Sequence, residues 1–138
     1  MAWQYPLDKF KLGTAFGVKD ALHPRGHRGT DYNGFKSGTK LKAVSDGKIA
    51  MVAYSAVLGN VVVLKVGVNY FGYCHMLEAC PLPAGTVVKA GDVIGKAGTS
   101  GSASSGVHLH LTLGLTKMAV FSGKVFDAHK FLTKKIGK

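Results

Sequence analysis

Nineteen glycines cut the 138-residue chain into short runs. A helix interior loses about 1 kcal/mol for each glycine that stands where alanine could, so this punctuation leaves room for few helices. The runs between are rich in β-branched and aromatic residues: KLKAV (40–44), KIAMVAY (48–54), NVVVLKV (60–66), YFGYCHM (70–76), TVVKA (86–90), DVIGKA (92–97) and VHLHLTL (107–113). Strands of this length, divided by Gly, Asn and Asp, predict an all-β fold, a small hybrid β-barrel or sandwich of mainly antiparallel strands with a groove. Only DAHKFLTKKIGK (127–138) has helical character. Hydrophobic residues make up 46% of the chain, which excludes a disordered class. The length suits one core and no linker interrupts it, so residues 1–138 read as a single domain. GTKLKAVSDGKI (38–49) and GTVVKAGDVIGK (85–96) echo each other, each a glycine turn, a short strand and a second turn, and are expected to form two similar hairpins.

No run approaches the roughly 18 apolar residues of a membrane span. The opening MAWQYPLDKFKLG lacks the apolar core of a signal peptide, so work outside the cytoplasm would need another exit route or a leader already removed. Lys and Arg number 18 against 7 Asp and Glu, a formal charge of +11. Such a surface implies an anionic partner: nucleic acid, anionic lipid or an acidic polymer such as cell wall. Cys74 and Cys80, the only cysteines, lack CxxC or zinc-knuckle spacing, so two buried free thiols are expected.

In a strand, residues i and i+2 share a face, roughly 6–7 Å apart. In GVHLHLTL (106–113) this sends Val107, Leu109, Leu111 and Leu113 to the core. Gly106, His108, His110 and Thr112 take the opposite face, which reads as the lining of a groove. The polar segment TSGSASSG (99–106) directly before it is expected to form a flexible wall. Upstream, HRGTD holds His27 and Asp31; Gly29 and Thr30 disfavour a helix there, so a turn leading into a strand is expected. Imidazole and carboxylate are ordinary zinc donors, and one more from the 108/110 pair completes a His/His/Asp set with a fourth position left for water. His75 is a further imidazole on a strand. Zinc-bound water needs a base to take its proton and a donor for the oxyanion or leaving group, and the spare histidines suit both tasks. Each piece alone has an ordinary structural explanation; their joint occurrence in one small β domain is specific. His23, in LHPRG, is placed near the cleft but read as a surface-loop histidine, His129 as solvated, and Trp3 and Tyr5 as packing on the barrel.

These residues resemble the lysostaphin/LytM-type zinc endopeptidases, which cut peptide bonds in peptidoglycan. The resemblance spans roughly residues 13–132 and rests on GTAFGVKD (13–20), HRGTDY (27–32), GTKLKAVSDGKI (38–49), GNVVVLKV (59–66), GYCHML (72–77), VVKAGDVIGKAGTSG (87–101) and GVHLHL (106–111). It implies that His27, Asp31 and His110 bind Zn2+, and that His75 and His108 are catalytic. The family usually has Pro where Val107 stands, a slightly shorter loop before it, and Leu where Met76 stands. None of these departures removes a ligand or a catalytic histidine.

The resemblance further implies a zinc metalloendopeptidase acting on cross-bridges or stem peptides of peptidoglycan in the bacterial cell wall. Its partners would be peptidoglycan and anionic wall polymers, with no nucleic acid and no membrane span, and we expect a monomer. A phage lysin, a virion-associated wall hydrolase or a processed secreted enzyme would have such a chain. Three rivals stand beside it. The first is a catalytically silent relative that binds or scaffolds the wall. The second is a nucleic-acid-binding β-barrel, which would need aromatics spaced along a groove beyond the Tyr70, Phe71 and Tyr73 cluster. The third is a carrier domain, for which VVKAGDVIGKAG lacks the expected lysine tip.

Overall fold

The computed structural model describes residues 2–137. Ten strands run in the order β1 (Lys11–Leu12), β2 (Thr30–Asn33), β3 (Lys40–Lys42), β4 (Gly47–Ser55), β5 (Gly59–Val66), β6 (Asn69–Met76), β7 (Val87–Val88), β8 (Val93–Lys96), β9 (Leu109–Gly114) and β10 (Val125–Phe126), followed by helix α1 (Ala128–Ile136). One sheet orders them β1-β2-β9-β6-β5-β4-β7 with β10 also on β9, and β3 pairs β8 in a second, smaller sheet. Every pairing is antiparallel. Each run expected to be a strand contains one, although TVVKA shrinks to Val87–Val88. The two-residue strands β1 and β10 have no detectable period and were not legible. No helix among the described residues is long and apolar enough to cross a membrane.

The central strands explain the uninterrupted apolar run NVVVLKV. Val62, Leu64 and Val66 of β5 face the main core with Phe71, Tyr73, Leu41, Ile94 and Leu111. Val61 and Val63 face the other way, into a small cluster with Cys74 and Val120. Both faces of β5 are covered, so alternation disappears from its sequence. Tyr73, fully buried, donates its hydroxyl to Lys42 O (2.9 Å) and accepts from Val44 N (3.1 Å), which ties the large sheet to β3. Cys74 and Cys80 are free and buried, as expected.

The echo segments do not form two separate hairpins. The first strand of each pairs with the second strand of the other, β3 with β8 and β4 with β7. The two segments are therefore interlocked. Asp127 caps α1 through Lys130 N (3.0 Å), and the helix lies against the N-terminal aromatics. Trp3 packs edge-on against Phe131 and Phe71, and Tyr5 against Phe10, as expected. His129 corrects its expectation: it is half-buried, bonded through Nδ1 to the Tyr32 hydroxyl (2.8 Å) and stacked on Tyr5. Helix packing against the N-terminal arm removes it from solvent. Val107 also departs, since β9 begins at Leu109 and Val107 lines the groove while only partly packing on the core.

Candidate metal centre

Register brings the site together. Asp31 of β2 and Cys74 of β6 flank His110 of β9 as its direct cross-strand partners. His27 lies in the turn before β2, fixed by His27 N to Val18 O (2.9 Å) and Gly17 N to His27 O (2.8 Å). The turn-into-strand reading of HRGTD therefore holds. His110 Nδ1 stands 3.1 Å from His27 Nε2 and 3.1 Å from Asp31 Oδ1, and His27 Nε2 stands 3.3 Å from Asp31 Oδ1. Among the described residues this is the one group of three donors positioned to hold a metal ion. The spacing fits zinc: tetrahedral donors at about 2.0–2.1 Å from the ion lie about 3.3–3.4 Å from one another. His27 Nδ1–H donates to Ala15 O (3.3 Å), so Nε2 carries the lone pair toward the other two donors.

Electrostatics suit a cation here. Burial works against the Asp31 carboxylate, yet hydrogen bonds from His110 and His27 outweigh it and hold Asp31 well below the usual carboxylate range. Burial pushes His110 below the ordinary histidine value, with Asp31 opposing it. Burial also acts downward on His27, but its bond to Asp31 prevails and raises it. The result is an ionised carboxylate between two buried imidazoles.

The donors open onto a groove of ≈ 840 Å³. Strict alternation along β6 would send His75 into the core with Phe71 and Tyr73. Instead the β5–β6 register slips between Asn60 and Val62, and His75 takes φ 61°. This left-handed residue makes a β-bulge that turns the imidazole into the groove and returns Met76 to the core. His75 Nδ1–H donates to Ser100 O (2.7 Å), leaving Nε2 free. Burial, with the nearby His108, pushes His75 down to about 4. His108 lies on the groove side, its ring 4.8 Å from that of His75. Its Nδ1–H donates to Gly106 O (2.9 Å) and its Nε2 lies 3.9 Å from Asp31 Oδ1. The five residues singled out in the sequence thus converge. His23 joins the groove wall as well, with its ring 4.6 Å from His27 and its Nδ1 held by Asp20 (3.0 Å). The segment 99–106 supplies a wall through Ala103, Ser105 and Gly106.

Three supporting residues escaped sequence reasoning. A Cβ on Gly29 would meet Leu111 O at 2.4 Å and His110 Cε1 at 2.9 Å, so only glycine lets the start of β2 approach His110 and β9 this closely. Ser100 receives His75 on its carbonyl, while its hydroxyl bonds Met76 O (2.5 Å) and accepts from Asn60 N (3.0 Å), clamping the bulge. Arg28 donates to Ala119 O (2.6 Å) and Gly123 O (2.8 Å), which fastens the segment bearing Val120 and Phe121 to the groove. The glycine inside HRGTD was the one signal available for any of these.

Comparison with known proteins agrees with this geometry. Peptidoglycan DD-endopeptidase ShyC of Vibrio cholerae is 33% identical over 110 residues, covering 76% of this chain and 25% of its own. The chain therefore spans about a quarter of that curated relative. A zinc-containing peptidase from Vibrio cholerae superposes with a TM-score of 0.74 at 29% identity, covering 85% of this chain and 37% of the other. The catalytic domain of the antimicrobial peptidase lysostaphin from Staphylococcus simulans gives a TM-score of 0.75 at 30% identity, with 90% and 92% covered. The sequence profile described as Peptidase family M23 matches residues 25–122. That stretch runs from just before His27 to just past Phe121 and takes in the whole donor triangle and both neighbouring imidazoles, so the chain belongs to peptidase family M23.

Proposed function

We propose that the chain is a zinc-dependent endopeptidase that cleaves peptide bonds in bacterial peptidoglycan, at the cross-bridge or the stem peptide. One observation carries the reading: a three-donor triangle with zinc spacing opens onto a groove beside two imidazoles that each keep a free Nε2. In it His27 Nε2, Asp31 Oδ1 and His110 Nδ1 hold the ion. Bound zinc supplies a Lewis acid for the scissile carbonyl and lowers the pKa of its water toward about 7. His75, neutral near pH 7, presents Nε2 as a proton acceptor with its tautomer fixed by Ser100 O. His108, oriented by Gly106 O, presents Nε2 toward the donor triangle, where it can accept a proton and, as the imidazolium so formed, donate to the oxyanion or the leaving amine. The name of the curated relative, a peptidoglycan DD-endopeptidase, supports the substrate class, and that of lysostaphin, a peptidase, supports the reaction.

Purified protein should carry about one zinc per chain. Asp31→Ala and His110→Ala should lose metal and activity together. His75→Ala and His108→Ala should keep zinc and lose about 10²-fold or more in turnover. Elemental analysis paired with mass spectrometry of peptides released from purified sacculi tests both parts. A zinc-loaded protein that releases no peptide from any sacculus would favour the silent, wall-binding alternative.

A further inference from the structure

The formal charge of +11 is spread over lysines that rarely meet a carboxylate, because most of the acids are engaged by backbone N–H groups. Asp20, Asp46, Asp92 and Asp127 accept backbone N–H groups of Leu22 and His23, Ala90, Lys89 and Lys130 respectively. Asp31 lies among the histidines. Among the described residues one lysine–carboxylate pair forms, Lys42 with Asp8. The other described lysines form no ion pair with a carboxylate, and two sets of lysines oppose each other directly in register. Lys48 of β4 pairs in register with Lys65 of β5, and Lys40 of β3 with Lys96 of β8. Like charges directly opposite across a ladder cost stability.

The first pair has a distinctive place. Lys65 alternates with Val61 and Val63, and Tyr70 packs on the same cluster, so Lys48, Lys65 and Tyr70 lie on the face of the large sheet that carries Cys74 and His110. Register is unbroken from Cys74 to Tyr70, which sets this row roughly 13 Å along the strand from the metal row. Lys65 Nζ sits over the Tyr70 ring at 5.7 Å from its centroid. One ammonium over an aromatic face, with a second lysine next to it in register, offers charge for phosphates and a flat apolar surface for the sugar or polyol between them.

We propose that Lys48, Lys65 and Tyr70 form a docking strip for a linear phosphodiester polyanion of the cell wall, on the same sheet face as the donor triangle. A phosphate seated between the two ammonium groups relieves their repulsion, so the strip is destabilised when empty and satisfied when filled. This inference rests on the wall-hydrolase reading for the identity of its partner.

The test measures co-sedimentation of zinc-loaded protein with sacculi that keep their phosphodiester polymers and with the same sacculi stripped by cold hydrofluoric acid, at about 0.1 M salt. Wild type should bind intact walls about thirtyfold more tightly than stripped ones, in line with roughly 1 kcal/mol for each of the two lysines near an anionic surface. Lys48→Gln/Lys65→Gln should lose that preference. The charge-matched Lys40→Gln/Lys96→Gln, on the other sheet, should retain it. Urea midpoints of both variants should match or exceed wild type, because each relieves an opposed pair. Retained preference in Lys48→Gln/Lys65→Gln overturns the proposal, as does equal loss in the control, which would reduce the effect to the general field. Single-stranded DNA that binds this strip more tightly than the wall polymer also overturns it. Peptide release from stripped sacculi is read separately, so failure of the peptidase assignment leaves the binding comparison intact.

Discussion

Replacing His75 by glycine should leave a more stable protein than replacing it by alanine, the reverse of the usual order in a strand. Both variants remove the ring and its 2.7 Å bond to Ser100 O, so those losses cancel in the comparison. What differs is a Cβ at φ 61°. The left-handed region costs an L-residue about 1–2 kcal/mol, while glycine loses about 0.5–1 kcal/mol in backbone entropy. The balance favours glycine by roughly 0.5–1 kcal/mol. Tyr54, exposed on regular strand β4, supplies the contrast, and there alanine should exceed glycine by about 0.5–1 kcal/mol. Urea unfolding of the chelator-treated proteins measures both pairs without metal linkage. With a slope of about 1–3 kcal/mol/M, the His75 pair should separate by a few tenths of a molar. An alanine variant as stable as the glycine variant would refute the left-handed bulge, and with it the account of how His75 reaches the groove.

Thr30 Oγ1 is buried without a hydrogen-bond partner, on the face of β2 opposite Asp31. Thr30→Val should raise stability by about 1 kcal/mol with zinc content unchanged, as read by urea midpoint and elemental analysis. Gly29→Ala should weaken zinc binding at least tenfold by displacing His110, measured by competition with a chelator. On acidification of the metal-free protein, His75 resists protonation until about 4, whereas its unfolded form titrates near 6.5. The unfolded state thus binds more protons in that window, and stability falls as pH drops from 6.5 toward 4. His75→Gln should lose less over that range, by on the order of 2 kcal/mol, in urea titrations at several pH values.

His27, Asp31 and the 108/110 pair were legible because their spacing is local, HxxxD and HxH each falling on one turn or strand, whereas the choice of His110 over His108 came from the family resemblance and agrees with the β2–β9 register that sets His110 opposite Asp31. The way His75 reaches the groove was not legible, because alternation along YFGYCHM assigns it to the core and nothing in YCHM marks a left-handed residue. Ser100 acts through a carbonyl as well as its hydroxyl, and a carbonyl has no sequence signature. His129 misled because its partners, Tyr5 and Tyr32, lie about a hundred residues away. The echo segments were recognised, but likeness between two stretches does not say whether each pairs within itself or with the other.

Their exchanged pairing sets an order of completion for a chain leaving the ribosome. While only the first segment has emerged, β3 has no neighbour and β4 lacks the one it shares with β7. The β4–β5–β6 meander can form, but its outer edge stays open until Val88, and the small sheet cannot begin until Val93–Lys96 is available. His110 follows fourteen residues after that, so both strands of the small sheet are made before the third donor can join the other two. A nascent fragment therefore exposes strand edges but no complete donor triangle, and protection from aggregation and the assembled triangle arrive almost together.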